Sequence, residues 1–266
     1  MRVSDVTIGN GRFMLGDCLE RMAELPDASV DMILCDLPYG TTACLWDSVI
    51  PFAPLWAEYR RMLAPAGSVV LTANQPFTSA LVASNYAMFK YSWTWVKNRP
   101  TLAVHAKNRP MGKHEDVLVF SAAPMGHVSQ LGEKRMRYYP QGAVPTGKTK
   151  TVKEKGFQPG YHTPRPNLVG REYETMTGFP HTVLEVSKEE THVHPTQKPV
   201  ALFEYLIRTY TDEGMTVLDN CAGSGTTAIA SERSKRRWIC IERDPEYFSK
   251  AVGRVQGEVE KQGLFA

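Results

Sequence analysis

Asp36-Leu37-Pro38-Tyr39 is the stretch of the chain with the most chemistry in it. The apolar run Met32–Cys35 reads as a short buried strand. It closes on the Asp36 carboxylate; Pro38 then breaks regular backbone and removes a donor, and Gly40 permits a turn. At the carboxyl end of a parallel strand, such a stretch delivers an acid, backbone carbonyls and an aromatic ring into the crevice where open α/β sheets bind ligands. That set can grip a flat ring bearing an amine. Asp36 and the carbonyl of Leu37 or Pro38 would accept its two hydrogens, and Tyr39 would stack on its face. A plain strand-ending turn, with Asp36 as a cap and Tyr39 as packing, would use the same residues, so the remainder of the chain has to decide.

A second constellation lies far downstream. Thr216 to Thr227 reads as a strand, a Gly-rich turn and the start of a helix, with Gly223 and Gly225 spaced as in nucleotide-cofactor turns. Glu242, seventeen residues past Gly225, ends the next apolar run, where an acid can accept from both hydroxyls of a ribose. NAD is the rival ligand, but a dinucleotide needs a second mononucleotide-binding half and only 24 residues follow Glu242. Lys198, upstream of the turn, is placed to meet a carboxylate. One nucleoside joined to an amino-acid-like tail is S-adenosylmethionine.

The elements that must carry these residues alternate. Strand patterns at Phe13–Gly16, Val30–Cys35, Ser68–Asn74, Tyr91–Lys97 and Asp116–Ser121 are separated by helical stripes at Leu19–Leu25, Phe52–Leu63 and around Pro76–Ser84. This alternation predicts a mostly parallel α/β sheet. Ala122 to Thr191 is rich in Gly, Pro, Lys and Tyr without a long apolar period, and is expected to be an insertion with little regular structure. Regularity returns with a helix over Val200–Tyr210, the strand before the Gly-rich turn, the strand Arg237–Glu242 and a last helix opened by Pro245.

The 266 residues suit one large α/β domain with an insertion, or two small domains. The net charge of +3 is segregated. Lys90 to His114 holds six Lys/Arg and no acid, among them Lys97, Arg99, Lys107, Arg109 and Lys113. Glu133 to Arg171 holds nine against two acids, including Arg135, Arg137, Lys148, Lys150, Lys153, Lys155 and Arg165. The two stretches carry +6 and +7, which leaves −10 for the rest. A concentrated basic middle on an acidic body predicts a polyanion partner. The five cysteines form no C-x-x-C pair, so neither a disulfide framework nor a zinc ribbon is expected. His192 and His194 lack a third ligand nearby, and no metal is expected. The amino terminus lacks the apolar core of a signal peptide and no run is long enough to span a bilayer, so a soluble, cytoplasmic protein is expected.

Four blocks taken in order resemble one family. Gly16-Asp17-Cys18, Asp36-Leu37-Pro38-Tyr39, His194-Pro195-Thr196-Gln197-Lys198-Pro199 and Asp219 to Gly225 are similar to the motifs of the amino-group DNA methyltransferases of the permuted β class, which act on N6 of adenine or N4 of cytosine. The resemblance implies a Rossmann-like methyltransferase fold, circularly permuted, with a mostly parallel seven-stranded sheet. The chain would enter at that fold's third strand (Phe13–Gly16), run through strands four to seven, make the insertion, and supply strands one and two last. Residues 1–121 and 192–266 would form the catalytic and cofactor-binding domain, and 122–191 the target-recognition insertion. The resemblance assigns catalysis to Asp36, Leu37, Pro38 and Tyr39. It assigns S-adenosylmethionine to Asp17, Cys18, Asp36, Thr196, Lys198, Asp219, Ala222, Gly223, Ser224, Gly225, Thr226, Thr227, Glu242 and Arg243. Double-stranded DNA is the implied partner, in a protein of bacterial or phage origin, with monomer and homodimer both open.

Two departures from the family pattern stand out: Leu37 replaces the usual first proline, and Asn220-Cys221-Ala222 replaces a proline-phenylalanine pair. A carbonyl accepts whatever its side chain, so the first should be tolerated. No Pro-Cys nucleophile of the carbon-5 cytosine enzymes is present, and Cys35 should point into the core. That leaves direct transfer to a flipped base. Asp at position 36 favours adenine over cytosine, with N4-cytosine as the alternative. RNA or protein glutamine as substrate, and a non-catalytic relative, fit the intact motif residues less well.

Overall fold

The computed structural model describes residues 5–40, 47–153, 169–189 and 197–264. In chain order these form β1 (Val6–Ile8), β2 (Gly11–Leu15), α1 (Cys18–Met22), β3 (Val30–Cys35), α2 (Phe52–Met62), β4 (Leu63–Ala73), α3 (Phe77–Ser84), β5 (Phe89–Thr101), β6 (Gly112–Phe120) and a short α4 (Val128–Leu131). There follow β7 (Val144–Thr151), β8 (Glu172–Thr177), β9 (Val183–Glu185), α5 (Val200–Tyr210), β10 (Thr216–Asp219), α6 (Thr226–Arg233), β11 (Arg237–Glu242) and α7 (Pro245–Leu264).

The centre of the sheet explains why its strands read as unbroken apolar runs. In β3, Met32 and Leu34 join a core beneath α5, α6 and α7, while Ile33 and Cys35 join a second core beneath α1, α2 and α3. Side chains alternate, yet both faces are covered, so every position must be apolar. The helices show the complementary period: Leu55, Trp56, Tyr59 and Met62 of α2, and Leu202, Phe203, Leu206, Ile207 and Tyr210 of α5, are the buried stripes. Cys35 is fully buried, as expected.

The sheet order is β1-β2-β11-β10-β3-β4-β6-β5-β9. From β2 to β4 every pairing is parallel, and β6 turns antiparallel to both β4 and β5. This is the order the permuted fold requires, with the carboxyl-terminal strands β10 and β11 inserted between β2 and β3. Among the described residues the sheet holds the seven expected strands, β2 to β5 in that order, with β1 and β9 added at its two edges. β1 folds back on β2 through Gly9, which adopts φ +52°, and β9 joins the outer edge parallel to β5.

The stretch 122–191 also holds more regular structure than its sequence suggested. Beyond β9 it contains α4 and the antiparallel hairpin β7–β8, and its residues Pro140–His181 form a second compact unit. Every residue of β7 is exposed. A strand that buries neither face imposes no apolar alternation, which is why the hairpin left no mark in the hydropathy pattern. Among the described residues no helix is long and apolar enough to cross a membrane, and no group of three His, Cys, Asp or Glu could hold a metal ion. His192 and His194 lie outside the described residues.

The first helix ends at Met22 rather than at Leu25, and Arg61 of α2 secures that end. Its guanidinium donates to the carbonyls of Met22 (2.8 Å) and Leu25 (2.6 Å) while pairing with Glu58 and Asp27. A planar fork with five donors reaches all four; an ammonium cannot. Arg61→Lys should therefore cost about 1–2 kcal/mol, a fall in melting temperature of roughly 2–4 °C for a chain of this size, and an unchanged midpoint would show that the fork adds no stability.

Candidate active site

Parallel strands aim their carboxyl ends at one edge, and there the acids collect. Asp36 follows β3, Asp219 ends the neighbouring β10, Glu242 ends β11, and Asp17 follows β2. Asp36 is heavily partnered. Oδ2 accepts from Lys198 Nζ at 2.6 Å, and Oδ1 accepts from Tyr39 Oη at 2.7 Å and from the Thr72 hydroxyl. A carboxylate offers about four acceptor positions, and the described residues fill three of them.

Tyr39 is held in this arrangement by contacts within the protein. Its ring stacks on Phe77 with centroids 5.0 Å apart, its hydroxyl also lies 3.1 Å from Thr72 Oγ1, and the Lys198 ammonium sits 5.8 Å from its centroid. One face is thus already occupied, and the phenol acts as a donor that braces Asp36. Burial, reinforced by the negative charges of Asp36 and Glu115, pushes its pKa well above the ordinary tyrosine value, so it stays a donor.

Lys198 and Lys97 require correction. Lys198 does not present a free ammonium to a ligand carboxylate: besides Asp36 it lies 3.2 Å from Glu115 Oε2. Lys97 is not a surface cation for a polyanion. It is 3% exposed and pairs with Glu115 Oε1 at 2.7 Å. Burial disfavours a charged Glu115, but the two ammonium groups outweigh it and hold its carboxyl below the usual range; Asp36 and Glu115 likewise hold Lys198 above its own despite burial. Glu115 escaped the sequence reading. The only hint was an acid interrupting the otherwise apolar side of a strand.

The Gly-rich turn is tied from within. Gly223 and Gly225 adopt φ +51° and +76°, and a Cβ on Gly225 would press on Phe13 and Val255 at 3.1 Å. Glu242 Oε2 accepts from Gly223 N at 2.7 Å and Oε1 from Asp244 N at 2.8 Å; burial raises its pKa. Ala222 N donates to the Ile241 carbonyl, which ties the start of the turn to β11. Ser224, Thr226 and Thr227, expected at the cofactor, are buried, and their hydroxyls work inside the protein. Thr227 donates to Asp219, while Ser224 and Thr226 bond each other and meet Arg254. Asn220, the departure from the family pattern, accepts from the Tyr59 hydroxyl at 2.6 Å, so α2 holds the turn where a proline would have stiffened it.

Asp17 caps α1 by accepting from Leu19 N and Glu20 N, Cys18 is buried, and Arg243 is exposed at the end of β11. Thr196 lies outside the described residues. Of the remaining basic candidates, Arg99, Lys107, Arg109 and Lys113 are exposed on the β5–β6 hairpin. Ala73 at the end of β4 pairs with Asp116, so Gly112–Glu115 and the end of β5 run past the sheet on the Asp36 side. Arg137 is diverted to Asp31 at 3.3 Å, and Arg135 is half-buried. Lys148, Lys150 and Lys153 are exposed, while Lys155 and Arg165 lie outside the described residues.

Asp219 is the most strained acid of the set. Burial raises its pKa from 3.8 to about 6 despite bonds from Thr227 and Cys221 N. The folded state therefore holds this proton more tightly than the unfolded chain. The resulting stabilisation is complete below about pH 4 and disappears as pH rises through about 6, a change of about 3 kcal/mol. Asp219→Asn should remove that component: melting curves of wild type and variant should diverge in favour of the variant between pH 4 and pH 7. A constant difference would show that Asp219 carries no such penalty.

The chain matches over residues 30–253 a family described as DNA methylase, whose members act at N6 or N4 amino groups. It is similar to the DNA adenine methyltransferase YhdJ of Escherichia coli K12, with 26% identity over 90% of this chain and 81% of that protein. Among solved structures it resembles the M1.HpyAVI–SAM complex, with 24% identity, 92% of this chain and 99% of that one, and a TM-score of 0.58. It also resembles the cytosine-N4-specific PvuII DNA methyltransferase, with 17% identity, 96% and 93% coverage, and a TM-score of 0.66. The strand order, the acid at the end of β3 and the turn after β10 agree with that match, and the chain belongs to the N6/N4 DNA methylase family.

Proposed function

We propose that the protein transfers the methyl group of S-adenosylmethionine to the N6 amino group of adenine in duplex DNA. The observation that carries this reading is the Asp36 carboxylate, three of whose roughly four acceptor positions are filled by described residues, beside the backbone carbonyls of Leu37 and Pro38 and one strand from the Gly223–Gly225 turn. An exocyclic amine is a poor nucleophile because its lone pair is delocalised into the ring. Asp36 and a neighbouring carbonyl each accept a hydrogen bond from the amine and turn its lone pair out of conjugation. As the N–CH3 bond forms the S–CH3 bond breaks, S-adenosylhomocysteine leaves, and one amine proton is released through Asp36 to solvent. S-adenosylmethionine supplies an electrophilic methyl on sulfur. No nucleophilic side chain is needed. The target atom is inaccessible within a duplex, so the base must leave the stack at a cost of a few kcal/mol.

The donor set fits that cofactor. Glu242, with both oxygens fixed by backbone N–H groups, is oriented to accept from ribose hydroxyls, and Asp17 flanks the same edge. With Lys198 committed to Asp36 and Glu115, the positive partner for a carboxylate tail is the amino end of α6, where the turn feeds the first N–H groups. The likeness to the structure of a SAM complex supports the assignment.

Adenine is preferred because the motif opens with Asp36, and because YhdJ carries adenine in its name. Nucleoside mass spectrometry of unmodified DNA after incubation with protein and cofactor should show N6-methyladenine. The product should fall by about 10²–10³-fold with Asp36→Ala, the size of effect expected when one transition-state hydrogen bond is lost. N4-methylcytosine as the product would overturn the adenine reading.

The exposed cations on the β5–β6 hairpin are proposed to hold DNA phosphates. Neutralising Arg99, Lys107, Arg109 and Lys113 together should reduce the slope of log affinity against log salt by about 0.9 for every phosphate that no longer meets a cation. Lys97→Met should leave that slope alone. Equal slopes in wild type and the fourfold variant would move DNA binding to Lys148, Lys150 and Lys153.

A further inference from the structure

Four charges of alternating sign run inward from the reacting edge: Asp36, Lys198, Glu115 and Lys97. Three of the four residues are more than nine-tenths buried, with exposures of 7% for Lys198, 7% for Glu115 and 3% for Lys97. They come from separate parts of the chain: the end of β3, the residue before Pro199, and the overhanging ends of β6 and β5. Trp95 faces Glu115 across the β5–β6 ladder, and Lys97 is two residues on along the same face, the diagonal neighbour within reach of a long side chain. Lys188, whose pKa burial and the nearby Lys97 hold below the ordinary lysine value, flanks the set.

The two carboxylates share Lys198 unequally. Asp36 takes a hydrogen bond at 2.6 Å, whereas Glu115 Oε2 lies farther off at 3.2 Å, within ion-pair range and without a well-formed hydrogen bond among the described residues. An ammonium bound to Asp36 alone, in a site of low dielectric, would withdraw much of the charge that makes this carboxylate an acceptor. A second anion behind the ammonium restores part of it. Glu115 can occupy that place only because Lys97 compensates its burial from the other side.

We propose that Glu115 and Lys97 are positioning residues for methyl transfer, which hold the Lys198 ammonium between two carboxylates so that Asp36 keeps its orientation and its acceptor strength toward the target amine. This rests on the reading that Asp36 accepts a hydrogen of that amine, and holds for adenine or cytosine alike. The effect of Glu115 and Lys97 passes entirely through Lys198 and Asp36.

The test measures single-turnover methylation of unmodified genomic DNA with radiolabelled S-adenosylmethionine, alongside cofactor and DNA affinity. Glu115→Gln should lower the rate about tenfold or more while both affinities stay within about twofold. In an Asp36→Asn background, which already lacks the ion pair, the same Glu115→Gln change should produce no further loss. A merely structural role would lower the rate in both backgrounds alike. The double variant Lys97→Met/Glu115→Gln removes opposite charges together and guards against misfolding of the single variant; it should lose rate to about the same extent as Glu115→Gln. Wild-type rates in either Glu115 variant, or a full further loss on top of Asp36→Asn, would overturn the proposal. Absence of methylation by the wild-type protein would instead overturn the reading of Asp36 on which it rests.

Discussion

Parallel strands have their polar groups at their ends, and when several of those ends carry carboxylates the protein must keep negative charges alive in a poorly solvated edge. The rest of this site follows from how each acid meets that requirement. Asp36 is matched by an ammonium and two hydroxyls. Glu242 receives two backbone N–H groups, and in doing so fixes the Gly-rich turn against the end of β11. Asp219 is fully enclosed, and the Thr227 hydroxyl and Cys221 N–H that it accepts from do not offset its burial, so its proton affinity rises. The three solutions suit three tasks. A cation-matched acid stays charged and polarised, one bonded to backbone presents lone pairs at fixed angles, and a half-compensated one knots a loop from inside.

Much of this was legible in the sequence, for reasons that can be stated residue by residue. Val30–Cys35 announced a doubly covered strand because both of its faces are buried, and Gly223 and Gly225 announced a turn because their backbone angles exclude most side chains. Asp36 and Glu242 were legible because a carboxylate closing an apolar run is costly to desolvate and is kept there for its lone pairs. Lys97 misled for the opposite reason. It stands in a basic run whose other members are exposed, and nothing local reveals that Glu115 waits across the ladder. Pairings between Asp36 and Lys198, or between Tyr59 and Asn220, join residues more than 150 positions apart and leave no spacing to read. The hairpin β7–β8 was silent because it buries nothing.

The permutation has a similar logic. With β10 and β11 supplied by the end of the chain yet seated between β2 and β3, the turn that follows β10 and the acid that follows β3 become neighbours through strand pairing alone. The connection between them in sequence can then be long and variable without disturbing either. The separate unit Pro140–His181 falls in that connection.

The overhang of β5 and β6 beyond the sheet ties two distances together. Its base is locked into the buried charges by Lys97 and Glu115, and its outer end carries Arg99, Lys107 and Arg109. At about 3.4 Å per residue, the strand from Lys97 to Thr101 spans roughly 14 Å. The hairpin therefore works as a ruler whose zero mark lies inside the protein. Adding two residues to each of its strands would carry the exposed cations about 7 Å outward while leaving every buried charge in place. Reach toward a polyanion can thus change by insertion at the tip, independently of the chemistry at the base.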